Sequence, residues 1–125
     1  MRVYRGDSSD NWQIDPYASS RYGFPVLFFA SNIELARLYS DFLGKSNGSI
    51  YELELTRVDK VIDFGGSDSY SGKFRNTIYD LFEKGIKSAV FENVYDRPSS
   101  RYSFQEISDV YVVFDFTLLK NQVKI

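Results

Sequence analysis

Apolar and polar positions along this chain repeat with two different periods, and the switches between them divide it into elements. Arg2–Arg5 reads as a short strand ended by Gly6. The stretch that follows, Asp7–Gly23 (DSSDNWQIDPYASSRYG), holds neither period and predicts a long polar and aromatic loop. A connection of that length in a small domain is usually functional or mobile. Pro25–Phe29 reads as a buried strand. From Ser31 the spacing lengthens to that of a helix: Ile33, Leu35, Ala36, Leu38, Tyr39 and Phe42 recur on helical period, with a stop at Gly44. Ser31 and Glu34 have the spacing of a capping box, in which the hydroxyl accepts from the Glu34 N–H and the carboxylate reaches back.

After a turn at Lys45–Gly48, Ile50–Leu55 alternates apolar residues with Glu52 and Glu54, the pattern of a half-exposed strand. Val58–Phe64 predicts a further strand, ended by Gly65 and Gly66. The segment GGSDSYSG at Gly65–Gly72 has loop composition and lacks the Lys-Ser/Thr ending of a phosphate-binding P-loop. Phe74, Ile78, Leu81 and Phe82 mark a second, amphipathic helix ending at Gly85. Ile86–Val94 reads as a strand, Tyr95–Ser103 as a second polar loop, and Val110–Phe114 and Thr117–Val123 as closing strands. Two helices set among more numerous strands predict an α+β fold with a largely antiparallel pair of sheets. A length of 125 residues predicts one domain over 1–125.

Composition narrows the chemistry more than the fold. Aromatic residues make up 18% of the chain, with ten Tyr and eleven Phe. Each large ring can bury about 150–250 Å², so most of them are expected in the core and the rest along a cleft. A net charge of −2 with scattered basic residues argues against a general nucleic-acid binder, since phosphate contacts need clustered cations. Without Cys there is neither a disulfide framework nor a thiolate nucleophile, and without His the commonest general base and metal ligand is missing. A metal site is therefore not expected. No apolar run approaches the roughly 18 residues of a membrane span. The opening MRVYRGDSSD also lacks the apolar stretch of a secretory signal, so a cytoplasmic setting is expected.

Three fragments stand out for their order: VYRG at Val3–Gly6, LFFASNIELARLY at Leu27–Tyr39 and SDVYVVFD at Ser108–Asp115. Together they resemble the signature segments of the ADP-ribosyltransferase fold, the small NAD-cleaving fold of bacterial toxins and poly-ADP-ribose polymerases. The resemblance implies an ADP-ribosyltransferase-like fold of split antiparallel sheets with two or more helices, and NAD as substrate. In such a site Arg5 orients the dinucleotide through its planar donor fork, and Gly6 lets backbone approach the ligand. Phe28 and Tyr39, separated like the two rings that sandwich nicotinamide in the polymerase-like branch, hold that ring. Ser31, at a helix start, meets a phosphate. Taken singly, each has a plainer account: Arg5 as a strand-end cation, Phe28 and Tyr39 as core, Ser31 as a cap.

The family's catalytic acid aligns with Val110. FENVYD at Phe91–Asp96 resembles the strand that precedes the last signature. Asp109, Glu106 and, third, Glu92 are the carboxylates available to polarise the ribose. Asp109 is one residue off, which on a strand means the other face unless a bulge intervenes; its plain account is a strand-end residue. The resemblance thus leaves two expectations. One is a mono-ADP-ribosyltransferase, toxin- or phage-effector-like, acting on a host or target protein. The other is a catalytically degenerate module on the same fold that binds a protein partner without NAD chemistry. An unrelated α+β interaction domain is a third reading of the residues.

Overall fold

A computed structural model describes residues 1–7, 11–15, 20–40, 48–66, 68–69, 71–96 and 106–125. The strands are β1 (Arg2–Asp7), β2 (Leu27–Ala30), β3 (Ser49–Leu55), β4 (Lys60–Asp63), β5 (Ser88–Asp96), β6 (Glu106–Val113) and β7 (Leu119–Lys124). Helix α1 (Ile33–Ser40) follows β2, and α2 (Gly72–Glu83) connects β4 to β5. A 3₁₀ turn, Phe116–Leu118, leads into β7. The expected stop at Gly44, the turn at Lys45 and most of the two long loops lie outside the described residues.

The α+β class is as expected, but the strands form one hydrogen-bonded sheet, in the order β4-β5-β6-β2-β1-β3-β7. Among the named strands of the described residues, β4 and β5 run parallel, joined by the α2 crossover, and the other strand pairs are antiparallel. A parallel neighbour needs such a crossover because a tight hairpin reverses the chain. The two-sheet split is replaced by a division between the two faces of this sheet, each with its own core.

On the helical face, Phe91, Val94, Val110 and Val112 of the sheet pack with Phe74, Ile78 and Leu81 of α2 and with Tyr22, Phe24 and Val26. Helix α2 forms where the sequence places apolar residues one turn apart, and Ser71 caps it by accepting from the Phe74 N–H at 3.2 Å. Phe74 projects among the rings of Phe64, Phe91 and Phe28: it lies 5.0 Å from Phe91 and 5.6 Å from Phe64, both nearly edge-on, and 6.1 Å from Phe28. Such pairs contribute about 0.5–1.5 kcal/mol each beyond burial. Helix α1 lies on the same face, over β1 and β3. Gly6 is what admits it, since a Cβ there would sit 1.7 Å from the carbonyl oxygen of Ala36.

On the opposite face, Val3, Phe29, Tyr51, Leu53, Leu55, Val113 and Leu119 form a second core, closed by Trp12, Ile14, Val58, Phe116 and Leu118. The alternation of side chains along each strand assigns the faces: Val3 and Arg5 project to this side, Gly6 to the other.

Two boundaries differ from the sequence reading in ways that matter for function. Strand β1 runs through Gly6 to Asp7, pairing Gly6 with Ile50 and Asp7 with Ser49. Strand β6 begins at Glu106, four residues before Val110, because Glu106, Ile107 and Ser108 pair with Asp96, Tyr95 and Val94 of β5. A bulge in β5 between Phe91 and Val94 accommodates this register, with Asn93 at φ 60°.

Candidate functional site

Arg5 projects from the middle of β1 among aromatic and acidic neighbours. Its Nη1 donates to the Phe28 carbonyl at 3.3 Å, its Nη2 lies 3.9 Å from the Asp7 carboxylate, and its guanidinium lies 4.8 Å from the centre of the Trp12 ring. A quarter of the side chain remains exposed. Trp12 is itself held, tilted against Tyr51 at 5.4 Å, with its backbone N–H donating to the Tyr51 hydroxyl. The pairing of Tyr4 with Ala30 sets Arg5 beside Phe29, and Phe29 pairs with Tyr111. Arg5 and Tyr111 are therefore two strand spacings apart on one face, about 10 Å.

Asp109 lies two residues from Tyr111 on the same strand, hence on the same face. No bulge in β6 is needed to bring it there. Its Oδ1 accepts a long hydrogen bond from the Asn93 N–H at 3.4 Å. Glu92 pairs with Asp63 of β4 and faces the same way. The proximity of these acids registers on Tyr111, whose phenol is raised above its ordinary value, first by burial and then by the charges of Asp109 and Glu92. Asp63 is held below the usual carboxylate range by the Gly65 N–H and the Asn93 side chain, which donate to it at 2.9 and 3.4 Å. Among the described residues no group of His, Cys, Asp and Glu is arranged to hold a metal ion.

The remaining predicted residues lie elsewhere. Val110, the residue aligned with the family acid, is buried in the helical-face core between Ala30 and Phe91. Phe28 also faces that side, with Tyr22 at 5.8 Å and Phe74 at 6.1 Å; it is a half-buried ring packed against that core. Gly6 serves a close approach, but to α1. Ser31 does not cap α1: Asn32 does, its Oδ1 accepting from the Glu34 N–H at 2.8 Å. The Ser31 N–H instead donates to the Asp109 carbonyl at 3.2 Å, extending the β2–β6 ladder by one step. Tyr39 belongs to α1, on the helical face, and Glu106 to β6; both side chains lie outside the described residues.

The structure thus brings Arg5, Asp109 and Glu92 to one face and leaves Gly6, Phe28 and the backbone of Tyr39 on the other. Trp12, Tyr111 and Asn93 were not singled out from the sequence. Trp12 carried a signal as the lone Trp of the chain within a long loop, and Tyr111 as the large ring alternating with Val110 and Val112. Asn93 entered only within the FENVYD resemblance, and its left-handed conformation inside a strand leaves no periodic trace. Comparison with known protein families, characterised proteins and solved structures finds no match. No described helix is long and apolar enough to cross a membrane.

Proposed function

We propose that this chain is an ADP-ribosyltransferase-like enzyme that cleaves NAD and passes ADP-ribose to a target protein. The observation that carries the reading is that Arg5 and Asp109 project from one face of the sheet, flanking Phe29 and Tyr111. In the reaction the bond between ribose C1′ and the nicotinamide nitrogen breaks, and its electron pair leaves with nicotinamide. A nucleophilic atom of the target bonds to C1′ and gives up a proton. Arg5, pre-oriented by Trp12 and the Phe28 carbonyl, offers donors to the pyrophosphate. Asp109, with Glu92 beside it, supplies negative charge to the ribose as positive charge develops. Trp12 and Tyr111 provide ring surface for the bases in place of Phe28, which faces the other side of the sheet. The plainer role of Arg5, bonding Phe28 and Asp7 within the fold, is compatible with this one. A cytoplasmic target, and a toxin- or effector-like biology, accompany the proposal through the family resemblance alone.

Nicotinamide release from NAD by the purified chain tests it. Asp109→Asn is expected to lower turnover about a hundredfold or more with NAD affinity within a few-fold, because its charge acts mainly in the transition state. Arg5→Ala is expected to weaken NAD binding instead. Burial of Val110, the residue aligned with the family acid, favours a second reading, a binding module on the same scaffold. NAD binding without turnover under any condition would establish that reading, and no NAD binding by the folded chain at millimolar concentration would remove the first.

A further inference from the structure

The bulge in β5 lies directly opposite Asp109. Phe91 pairs with Val110 and Val94 with Ser108, so Glu92 and Asn93 of β5 together face Asp109 of β6. Asn93 takes up the extra length by turning left-handed, at φ 60°. It is held there by its N–H, its carbonyl and its side chain. The N–H donates to Asp109 Oδ1 at 3.4 Å, the carbonyl accepts from the Gly66 N–H at 2.6 Å, and Nδ2 donates to Asp63 Oδ1 at 3.4 Å. Asp63 is itself anchored, because the same oxygen accepts from the Gly65 N–H at 2.9 Å. The Gly65 bond first, and the Asn93 bond second, hold the Asp63 carboxyl below its ordinary value, so that it stays an acceptor.

The backbone alone does not call for Asn at this position. Glycine adopts a left-handed conformation without steric cost. Asn tolerates it better than most side chains do, and it adds an amide that reaches Asp63. Asp tolerates the conformation too, but would set a second carboxylate against Asp63 where Asn sets a donor. What the Asn side chain contributes is a tether between the end of β4 and the bulge. That tether bears on Asp109 because the donor that meets its carboxylate is the N–H of the tethered residue. The carboxylate has reason to move otherwise: Glu92 shares its face, and like charges drive the two apart.

We infer that Asn93 is a positioning residue: tethered to Asp63, it aims its backbone N–H at the Asp109 carboxylate and holds that carboxylate toward the ribose of a bound NAD. The effect on turnover rests on the catalytic reading; the tether itself does not. Both bonds of 3.4 Å are long, as catalytic hydrogen bonds often are before a substrate tightens them. Misplacing a reacting group by about 1 Å can lower a rate about a hundredfold. Loss of the tether therefore lowers turnover without removing a group that binds NAD.

Two measurements on the whole chain test the inference. In proton–nitrogen NMR spectra recorded from neutral to acid pH, the amide signal of Asn93 is expected to move as the Asp109 carboxyl titrates, and to lose that movement in Asp109→Asn. Asn93→Gly keeps the backbone N–H and the left-handed conformation but removes the tether, and Asp63→Ala removes its other end. Each is expected to reduce the movement at position 93 by about half or more. In nicotinamide release, each is expected to lower kcat about tenfold or more with KM within about twofold, and the double variant to fall no further, because both changes cut one tether. Urea denaturation of Asn93→Gly is expected to show no loss of stability, since glycine takes the left-handed conformation freely; were that variant to unfold, Asp63→Ala decides. An Asn93 amide indifferent to Asp109→Asn overturns the inference, whatever the chain does to NAD. So does full movement of the position-93 amide in both tether variants, or an unchanged kcat in them when the wild type is active. A wild type that releases no nicotinamide removes the catalytic reading, while the amide measurement still judges the tether.

Discussion

Gly6 marks a close approach between backbone segments on the helical face. A methyl group there would lie 1.7 Å from the Ala36 carbonyl oxygen and 2.8 Å from the Ser40 nitrogen, both main-chain atoms that cannot turn aside. Gly6→Ala is therefore expected to destabilise the fold by about 3 kcal/mol or more, at the upper end of overpacking effects, as measured by urea denaturation. A variant of near wild-type stability would mean that α1 does not sit where it is described. The sequence shows only that Gly6 leaves room for a close approach. It does not show whether that is a ligand or a helix, because a missing side chain records only that space was required. The same limit applies to Phe28, whose aromatic character suits a stacking site and a core equally well.

At the level of elements, the sequence carried periods well and ends poorly. Helix α2 was legible because Phe74, Ile78 and Leu81 recur at helical spacing with Gly85 beyond them. The start of α1 was not, because Ser31 and Asn32 are both good caps and only the extension of the β2 ladder to Ser31 decides between them. Asn32→Ala is expected to lower stability by about 1 kcal/mol, and Ser31→Ala by clearly less; equal effects in denaturant titrations would contradict the assignment. The polar start of β6 hid its first four residues, since Glu106, Ser108 and Asp109 look like loop until β5 is laid beside them. That extension decides the candidate site: Val110 turned into the core places Asp109 outward, toward the side of Arg5. The sequence supplied both residues, but only strand register could assign them a common face.

For the whole molecule, the shifted groups set a stability window. Asp63 and Asp115 are held below the ordinary carboxylate value of 3.8, Asp115 by the Thr117 hydroxyl and N–H of the 3₁₀ turn it caps. A depressed carboxyl stabilises the fold above its unfolded pKa and loses that contribution as pH falls through the folded one. Tyr111, raised above 10, does the reverse: its contribution is complete below 10 and is lost as pH rises through the folded value. As far as these groups decide it, the midpoint of thermal unfolding is expected to be flat between about pH 4 and pH 10 and to fall outside that range. Asp109→Asn should lower the Tyr111 pKa, followed by carbon NMR of labelled tyrosine. An unchanged Tyr111 titration would mean that the two do not share a face.

The strand order also has a consequence for how the chain reaches this state. Strands β4, β5 and β6 with α2 come from one continuous stretch, whereas the partner of β6 on its other side, β2, lies about eighty residues earlier. Contacts close in sequence cost less loop entropy and form sooner. The α2–β5–β6 unit is thus expected to gain protection first in pulsed hydrogen exchange, with the β2–β6 seam closing late. Until then β6 is a bare edge that carries Val110, Val112 and Val113, open to pairing with another copy. The four-residue seam at the centre of the finished sheet is thereby a point at which the chain is exposed to aggregation while it folds.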